Sequence, residues 1–269
     1  MCTVSWRFEL TAEQPAPRFE LFFNRDESRR RGPAHPPQIM EPVGESKLLA
    51  PIDSDAGGTW LAANEHGLVL ALLNLYQARG GSRAGSISRG SLPLEWARAQ
   101  SVAQVQAAFT SRSLEDFAGF RILAFDPSGA CGLGSWHGEG GESSAKATRT
   151  DAERAGPSGR RWQVSPAGPV ISSGFRLDEV ESARRATYAA LVDRFDGASS
   201  EALKAFHTST DPEPGPRAVR MTREDARTVS TTHVRVSDSA VEMSYAEVGE
   251  VDGDWGSPAR QARLPRAKP

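Results

Sequence analysis

The chain has 269 residues, of which 38% are hydrophobic and 25% charged, the composition of a globular protein able to bury a sizeable core as one domain. Its 32 basic and 34 acidic residues are interleaved for a net charge of −2, which excludes the strong one-signed field that nucleic acid or an anionic membrane surface would need. Two cysteines, Cys2 and Cys131, are too few for a disulfide framework and form no CxxC zinc or redox spacing. The opening MCTVSWRFEL lacks a basic segment followed by an apolar one, and no apolar run approaches the roughly 20 residues of a membrane span, so a cytoplasmic protein is expected. Cations are mostly arginine, with lysine only at Lys47, Lys146, Lys204 and Lys268, a genome-composition bias without functional content.

Residues 3–8 and 18–23 are rich in aromatic and β-branched side chains and flank a polar segment with Pro15 and Pro17, predicting strand, turn, strand. Residues 27–51, with Arg29, Arg30, Arg31, Pro33, Pro36 and Pro37, are expected to be loop. Strands follow at 59–63 and 68–73 around the turn Asn64-Glu65-His66-Gly67, the second of them continuously apolar and hence covered on both faces. After a Gly/Ser/Arg loop at 79–90, helical spacing runs over 92–109, with a second helix capped near Ser101. Strands at 119–125 and 130–136 enclose a turn at Asp126-Pro127-Ser128-Gly129.

Residues 138–159 have the composition of a disordered excursion from a hairpin. Strands at 161–164 and 169–172, helices at 178–195 and 199–207, and a hairpin of 228–236 with 240–248 complete a domain spanning 1–249, with 250–269 as a loose tail. This order of strands, helices, strands, helices, strands predicts an α+β fold with two antiparallel sheets and helices outside.

Chemistry is suggested first by Met1-Cys2. A small second residue permits removal of the initiator methionine, leaving a thiol and a free α-amine on one residue. The amine titrates near ~7.7–8.0 and the thiol near ~8.5, so proton transfer between them is nearly thermoneutral. The competing reading is a small residue buried at the start of a strand.

Asn24-Arg25-Asp26-Glu27, together with Met1-Cys2-Thr3, Gly57-Gly58-Thr59-Trp60-Leu61, Asn64-Glu65-His66-Gly67-Leu68, Leu73-Asn74 and Ser88-Arg89-Gly90, resembles the NRDE family, which includes the transport and Golgi organisation proteins of animals. The same residues are similar to the choloylglycine hydrolases and penicillin V acylases, N-terminal nucleophile (Ntn) hydrolases of αββα architecture. The resemblance implies Cys2 as nucleophile, Asp26 as the carboxylate orienting its amine and Asn74 as oxyanion donor. The competing reading makes Asp26 a turn residue paired with Arg25 or Arg29, and Asn74 a strand-end residue satisfying backbone groups; the match of the set in spacing favours the functional one. The later agreement is looser: Arg184 or Arg185 corresponds to a site arginine, and Arg227-Thr228-Val229-Ser230 is a further match. Asn24 and Arg25 are candidate supporting residues, although strand alternation points Arg25 away from Asn24 and Asp26. Where those acylases carry a Ser-Asn pair, this chain has Ser172-Ser173, so a second amide donor is missing.

The implied activity is hydrolysis or acyl transfer on an amide or thioester of a small molecule, with no required cofactor. The alternative is a non-catalytic carrier of haem or an acyl ligand, since NRDE relatives are implicated in haem trafficking and lipid metabolism. The five histidines, His35, His66, His137, His207 and His233, show no metal-binding spacing, no CxxCH or GxSxG occurs, and Gly80-Gly81-Ser82-Arg83-Ala84-Gly85 lacks the ending of a P-loop.

Overall fold

A computed structural model of the chain describes residues 1–9, 18–41, 46–76, 85–138, 159–249 and 260–267. The expected disordered excursion lies almost entirely outside these residues, as do the first five residues of the Gly80–Gly85 loop.

Two antiparallel sheets stack face to face. The first has the order β10-β1-β2-β11-β12-β13, where β1 is Cys2–Phe8, β2 Phe19–Ser28, β10 Val170–Ser172, β11 Ala226–Val236, β12 Ala240–Glu247 and β13 Arg260–Pro265. The second runs β3-β4-β5-β6-β7-β8-β9, built from His35–Met40, Leu48–Ile52, Leu61–Asn64, Val69–Asn74, Phe120–Phe125, Cys131–Trp136 and Arg160–Val164. Helices α1 (Ser91–Trp96) and α2 (Val102–Ser111) cover the outer face of the seven-stranded sheet. Helices α3 (Leu177–Arg194) and α4 (Ser200–Thr208) cover the other, giving an αββα sandwich.

The period of two along the strands dictates this layering. In β6 and β7, Val69, Ala71, Leu73, Leu123 and Phe125 point between the sheets, while Leu70, Leu72, Ile122 and Ala124 point outward onto Leu92, Trp96, Val105 and Phe109 of the helices. The apolar run in β6 is thus covered on both faces, as its sequence predicts. The first sheet contributes Val4, Phe19, Leu21, Phe23, Val234 and Val236 to the same interior. Ser101 caps α2 by accepting from the Gln104 N–H at 3.4 Å, and Ser199 caps α4 by accepting from Ala202 at 3.1 Å.

The segment expected to be loop at 27–51 instead contains the end of β2, all of β3 and most of β4. Pro36 and Pro37 sit in β3 because it is an edge strand, where a missing N–H costs no ladder bond, and the register is irregular between His35 and Gln38 where they fall. None of its side chains is buried, which leaves no alternation to read. Residues 260–265 of the expected loose tail form β13, which adds to the edge of β12 and buries Leu264. No helix among the described residues is long and apolar enough to cross a membrane.

Phe125 packs against Trp6, Phe8 and Phe19 between the sheets, with ring centroids 5.1, 6.3 and 5.9 Å apart. Phe125→Ala should lower unfolding stability by about 3–5 kcal/mol in urea denaturation. Val164→Ala, at a site 72% exposed, should stay within about 0.5 kcal/mol.

Candidate functional site

The start of β1 lies between β2 and β10, with Cys2 opposite Arg25 on one side and Ser172 on the other. Alternation puts Cys2, Val4, Trp6 and Phe8 on the face between the sheets and Thr3 and Ser5 on the helix side. In β2 the same rule sends Phe19, Leu21 and Phe23 inward and Asn24 toward the helices, so Arg25 shares the inner face with Cys2. At this end the sheets part to leave a pocket of about 130 Å³. Cys2, Arg25, Asp26, Glu27, Asn74 and Arg89 are among its walls.

Asp26 is fully enclosed, and both its carboxylate oxygens are engaged. Oδ2 accepts from both terminal nitrogens of Arg184 at 3.3 Å, and Oδ1 accepts from the Thr228 hydroxyl at 2.7 Å. Arg184 also donates to the Thr3 hydroxyl at 2.5 Å. The Thr228 contact depends on a bulge in β11, where the register against β2 shifts between Thr228 and Ser230 and re-aims the threonine. The main chain of Asp26 holds the N-terminus: its N–H donates to the Met1 carbonyl at 3.0 Å, and its carbonyl accepts from the Met1 amine at 3.1 Å. That amine also donates to the Tyr76 hydroxyl at 3.2 Å, which in turn accepts from the Asn74 amide at 3.1 Å.

The structure resolves the arginine pair. Arg184 has no exposed side-chain surface, whereas Arg185 is 45% exposed and bound to Glu181 one helical turn away. Arg185 therefore leaves the candidate set, because a residue adjacent in a helix points about 100° away. Asn24 leaves it too: its amide donates to the carbonyls of His207 and Val219 at 2.8 and 3.2 Å, and its oxygen contacts His207 Nδ1 at 3.0 Å. Ser173 is turned onto Phe175, donating to its carbonyl and accepting from its N–H. Ser172 is buried beside Cys2, and its hydroxyl has no hydrogen-bond partner among the described residues.

Sequence reasoning missed the polar wall around Arg25. Arg25 donates to Asp53 at 2.5 Å, lies 3.5 Å from Glu27 and stacks 4.3 Å over the Trp60 ring. Arg31 grips both oxygens of Asp53 at 2.9 Å. Burial would raise the Asp53 pKa, but Arg31, the Ala56 N–H and Arg25 outweigh it and hold the carboxyl below its ordinary value. The Asp53–Gly57 turn carries no catalytic motif, so only the tertiary approach of Asp53 to Arg25 and Arg31 could expose this role.

Burial is also the largest influence on the Cys2 thiol and pushes its pKa above the ordinary value; the Met1 ammonium opposes this and the Asp26 carboxylate adds to it. Burial would lower the pKa of the Met1 amine, but the charges of Cys2, Tyr76 and Asp26 outweigh it and raise it. With Met1 attached, the thiol stays protonated at neutral pH and the amine belongs to the neighbouring residue.

A second constellation looks catalytic and is not. His207 links Ser5 Oγ at 2.9 Å to Asn24 at 3.0 Å, the connectivity of a nucleophile, base and orienting residue, but all three are enclosed under α4. Burial, then Arg184 and His233, drives the His207 pKa down to about 3, so the imidazole is neutral and structural.

Two measurements check these assignments. Between the folded value and its ordinary 6.5, His207 binds a proton only in the unfolded chain, so its contribution is complete above about pH 6.5 and is lost as pH falls toward 3. Stability at pH 4 should be roughly 3 kcal/mol below that at pH 7 from this residue, with a shallower slope in His207→Gln. Arg184→Met should cost about 3–5 kcal/mol by stranding a buried carboxylate, and adding Asp26→Asn should restore part of the loss in a double-mutant cycle.

Comparison with known structures bears on the whole sandwich. A cysteine-to-alanine mutant of conjugated bile acid hydrolase from Clostridium perfringens matches with a TM-score of 0.52 at 12% identity, covering 100% of this chain and 97% of that one. An arginine-to-leucine variant of conjugated bile acid hydrolase from the same organism gives 0.48 at 11% identity, over 93% and 94% of the two chains. At 12% identity the first likeness establishes the fold, an αββα sandwich shared with that hydrolase, and leaves the chemistry to the residues. Comparison with curated proteins finds no match. The family model for Transport and Golgi organisation 2 matches residues 1–151, which include Cys2, Asp26 and Asn74 but neither Arg184 nor Thr228. More than half of the chain is thus covered, and the protein belongs to that family.

Proposed function

We propose that this chain is an N-terminal nucleophile enzyme in which Cys2, once Met1 is removed, hydrolyses or transfers the acyl group of a small amide or thioester. The observation that carries the reading is the meeting of Cys2 and Asn74 on one pocket, next to an Asp26 whose backbone already holds the terminal amine at 3.1 Å. Removal of Met1 transfers the role of terminal amine to Cys2, beside its own sulfur.

In the reaction the amine takes the thiol proton as sulfur attacks the carbonyl carbon, and the carbonyl electron pair moves to oxygen. Asn74 uses one amide hydrogen on Tyr76 and has a second to offer the developing oxyanion. Collapse breaks the bond to the leaving amine or thiol, which departs with the proton held by the α-ammonium. Water, or an amine in a transfer reaction, then gives a proton back to the α-amine while attacking the thioester, and cleavage of the C–S bond returns the Cys2 thiol. Arg184 and Thr228 fix the Asp26 carboxylate, and Arg25 lies along the pocket wall. A reducing compartment such as the cytosol suits this chemistry because it keeps Cys2 and Cys131 as free thiols.

A carrier of an acyl ligand is the second reading, favoured by the absence of an amide side chain at Ser172-Ser173, which leaves Asn74 as the sole side-chain amide among the described residues that line the candidate oxyanion site. Haem suits the pocket poorly. A volume of about 130 Å³ is too small to enclose a group as large as the haem macrocycle, and burial keeps the thiol of Cys2 on its wall protonated. No step is therefore assigned to haem.

On a panel of acyl amides and acyl thioesters, the Met1-free protein should turn over at least one member, and Cys2→Ala should abolish it. Asn74→Ala should lower kcat by roughly 10²–10³-fold. Equal turnover by Cys2→Ala would remove the enzyme reading, and saturable binding without turnover would favour the carrier.

A further inference from the structure

Among the described residues, one cation on the pocket wall lacks a counter-ion. Arg25 and Arg31 share Asp53 and Glu27, and Asp26 is matched by Arg184. Arg89 makes one hydrogen bond, from a terminal nitrogen to the Gly119 carbonyl at 3.0 Å, and no carboxylate pairs with it among the described residues. A guanidinium has five N–H donors, so most of its capacity is unspent. Burial pulls its pKa below the ordinary value, the mark of a partly desolvated charge, and the groups near enough to oppose that shift are Tyr76, Cys2 and Glu27.

The position of Arg89 is built into the fold. Its loop is pressed against the start of β5, where the Thr59 N–H donates to the Gly90 carbonyl at 2.9 Å. A Cβ on Gly58 would lie 2.6 Å from the Gly90 carbonyl carbon, so the backbones can approach this closely only with glycine at that point. Gly57-Gly58-Thr59-Trp60 and Ser88-Arg89-Gly90 are thus two halves of one device that holds a guanidinium on the wall it shares with Cys2 and Asn74.

We propose that Arg89 is a specificity residue that recognises an anionic group, a carboxylate, phosphate or sulfonate, carried close to the carbonyl that Cys2 attacks. The substrates would then be small anionic amides or thioesters. Arginine suits the task because its planar fork meets such oxyanions with two parallel hydrogen bonds. The substrate assignment rests on the reading of Cys2 as nucleophile; the anion preference rests on Arg89 alone.

Two matched pairs place the charge on either side of the scissile bond: glutaryl against pentanoyl anilide, and N-pentanoylglycine against its methylamide. Binding is measured by calorimetry on Cys2→Ala, which cannot acylate, and kcat/KM on the Met1-free protein. In at least one pair the charged member should bind at least tenfold tighter, the ratio should fall at least tenfold on adding Arg89→Gln, and Arg89→Lys should recover part of it. Equal binding in both pairs, or a preference that survives Arg89→Gln, overturns the proposal. If Arg89→Gln does not fold, the Cys2→Ala ratios and Arg89→Lys decide: a charge preference that lysine narrows supports the bidentate assignment, and one that lysine leaves unchanged contradicts it. A binding preference without turnover would sink the enzyme reading and leave the anion site standing.

Discussion

A carboxylate and a guanidinium, both shut off from solvent, meet where β2 ends, and the geometry of the pocket depends on that meeting. Asp26 and Arg184 draw in Thr3 from β1 and Thr228 from β11, so three strands and a helix converge on one ion pair. Burying such charges is costly, and the partners that satisfy the carboxylate make the arrangement tolerable while permitting few alternatives. Because the main chain of the same aspartate holds the N-terminus, the position of Cys2 follows from the pair.

From this anchor the strand period separates two kinds of polar residue in a four-residue motif. Asn24 faces the helices and is consumed by His207 and Val219. Asp26 joins Arg184 from the same side. Arg25 and Glu27 serve the pocket wall, where they meet Asp53 and Arg31. The motif is therefore partly scaffold and partly site, and the two roles alternate along the strand. Asn64 in the second motif is scaffold altogether: it donates to the carbonyls of Ala97 and Ala99 just past α1 and accepts from His66 and Leu68 in its own turn.

Much of this was legible in the sequence because apolar periodicity reports local geometry. The continuous run 68–73, the helix restart at Ser101 and the closing hairpin all carry strong local signals and fall where expected. The edge strands β3 and β13 do not, since a strand that is largely solvated and interrupted by proline has no alternation to detect. Cys2, Asp26 and Asn74 were identified as a set by their order, and the structure brings them to one pocket. The choice between Arg184 and Arg185 needed the helix packed in place, and Asp53 was invisible because its importance comes entirely from partners distant in sequence.

The chemical account turns on where the terminal amine sits. With Met1 present, burial and the aspartate keep the thiol protonated, and the amine bonds to the Asp26 carbonyl and Tyr76. The decisive measurement is the rate of Cys2 alkylation against pH in Met1-free and Met1-bearing protein, with the N-terminus of each verified by intact mass. The account predicts that losing Met1 moves the midpoint down toward neutrality and that Asp26→Asn, which removes a negative charge from beside the sulfur, does not move it back up. Identical profiles with and without Met1 would show that sulfur and amine do not act as a unit, and the nucleophile assignment would fall.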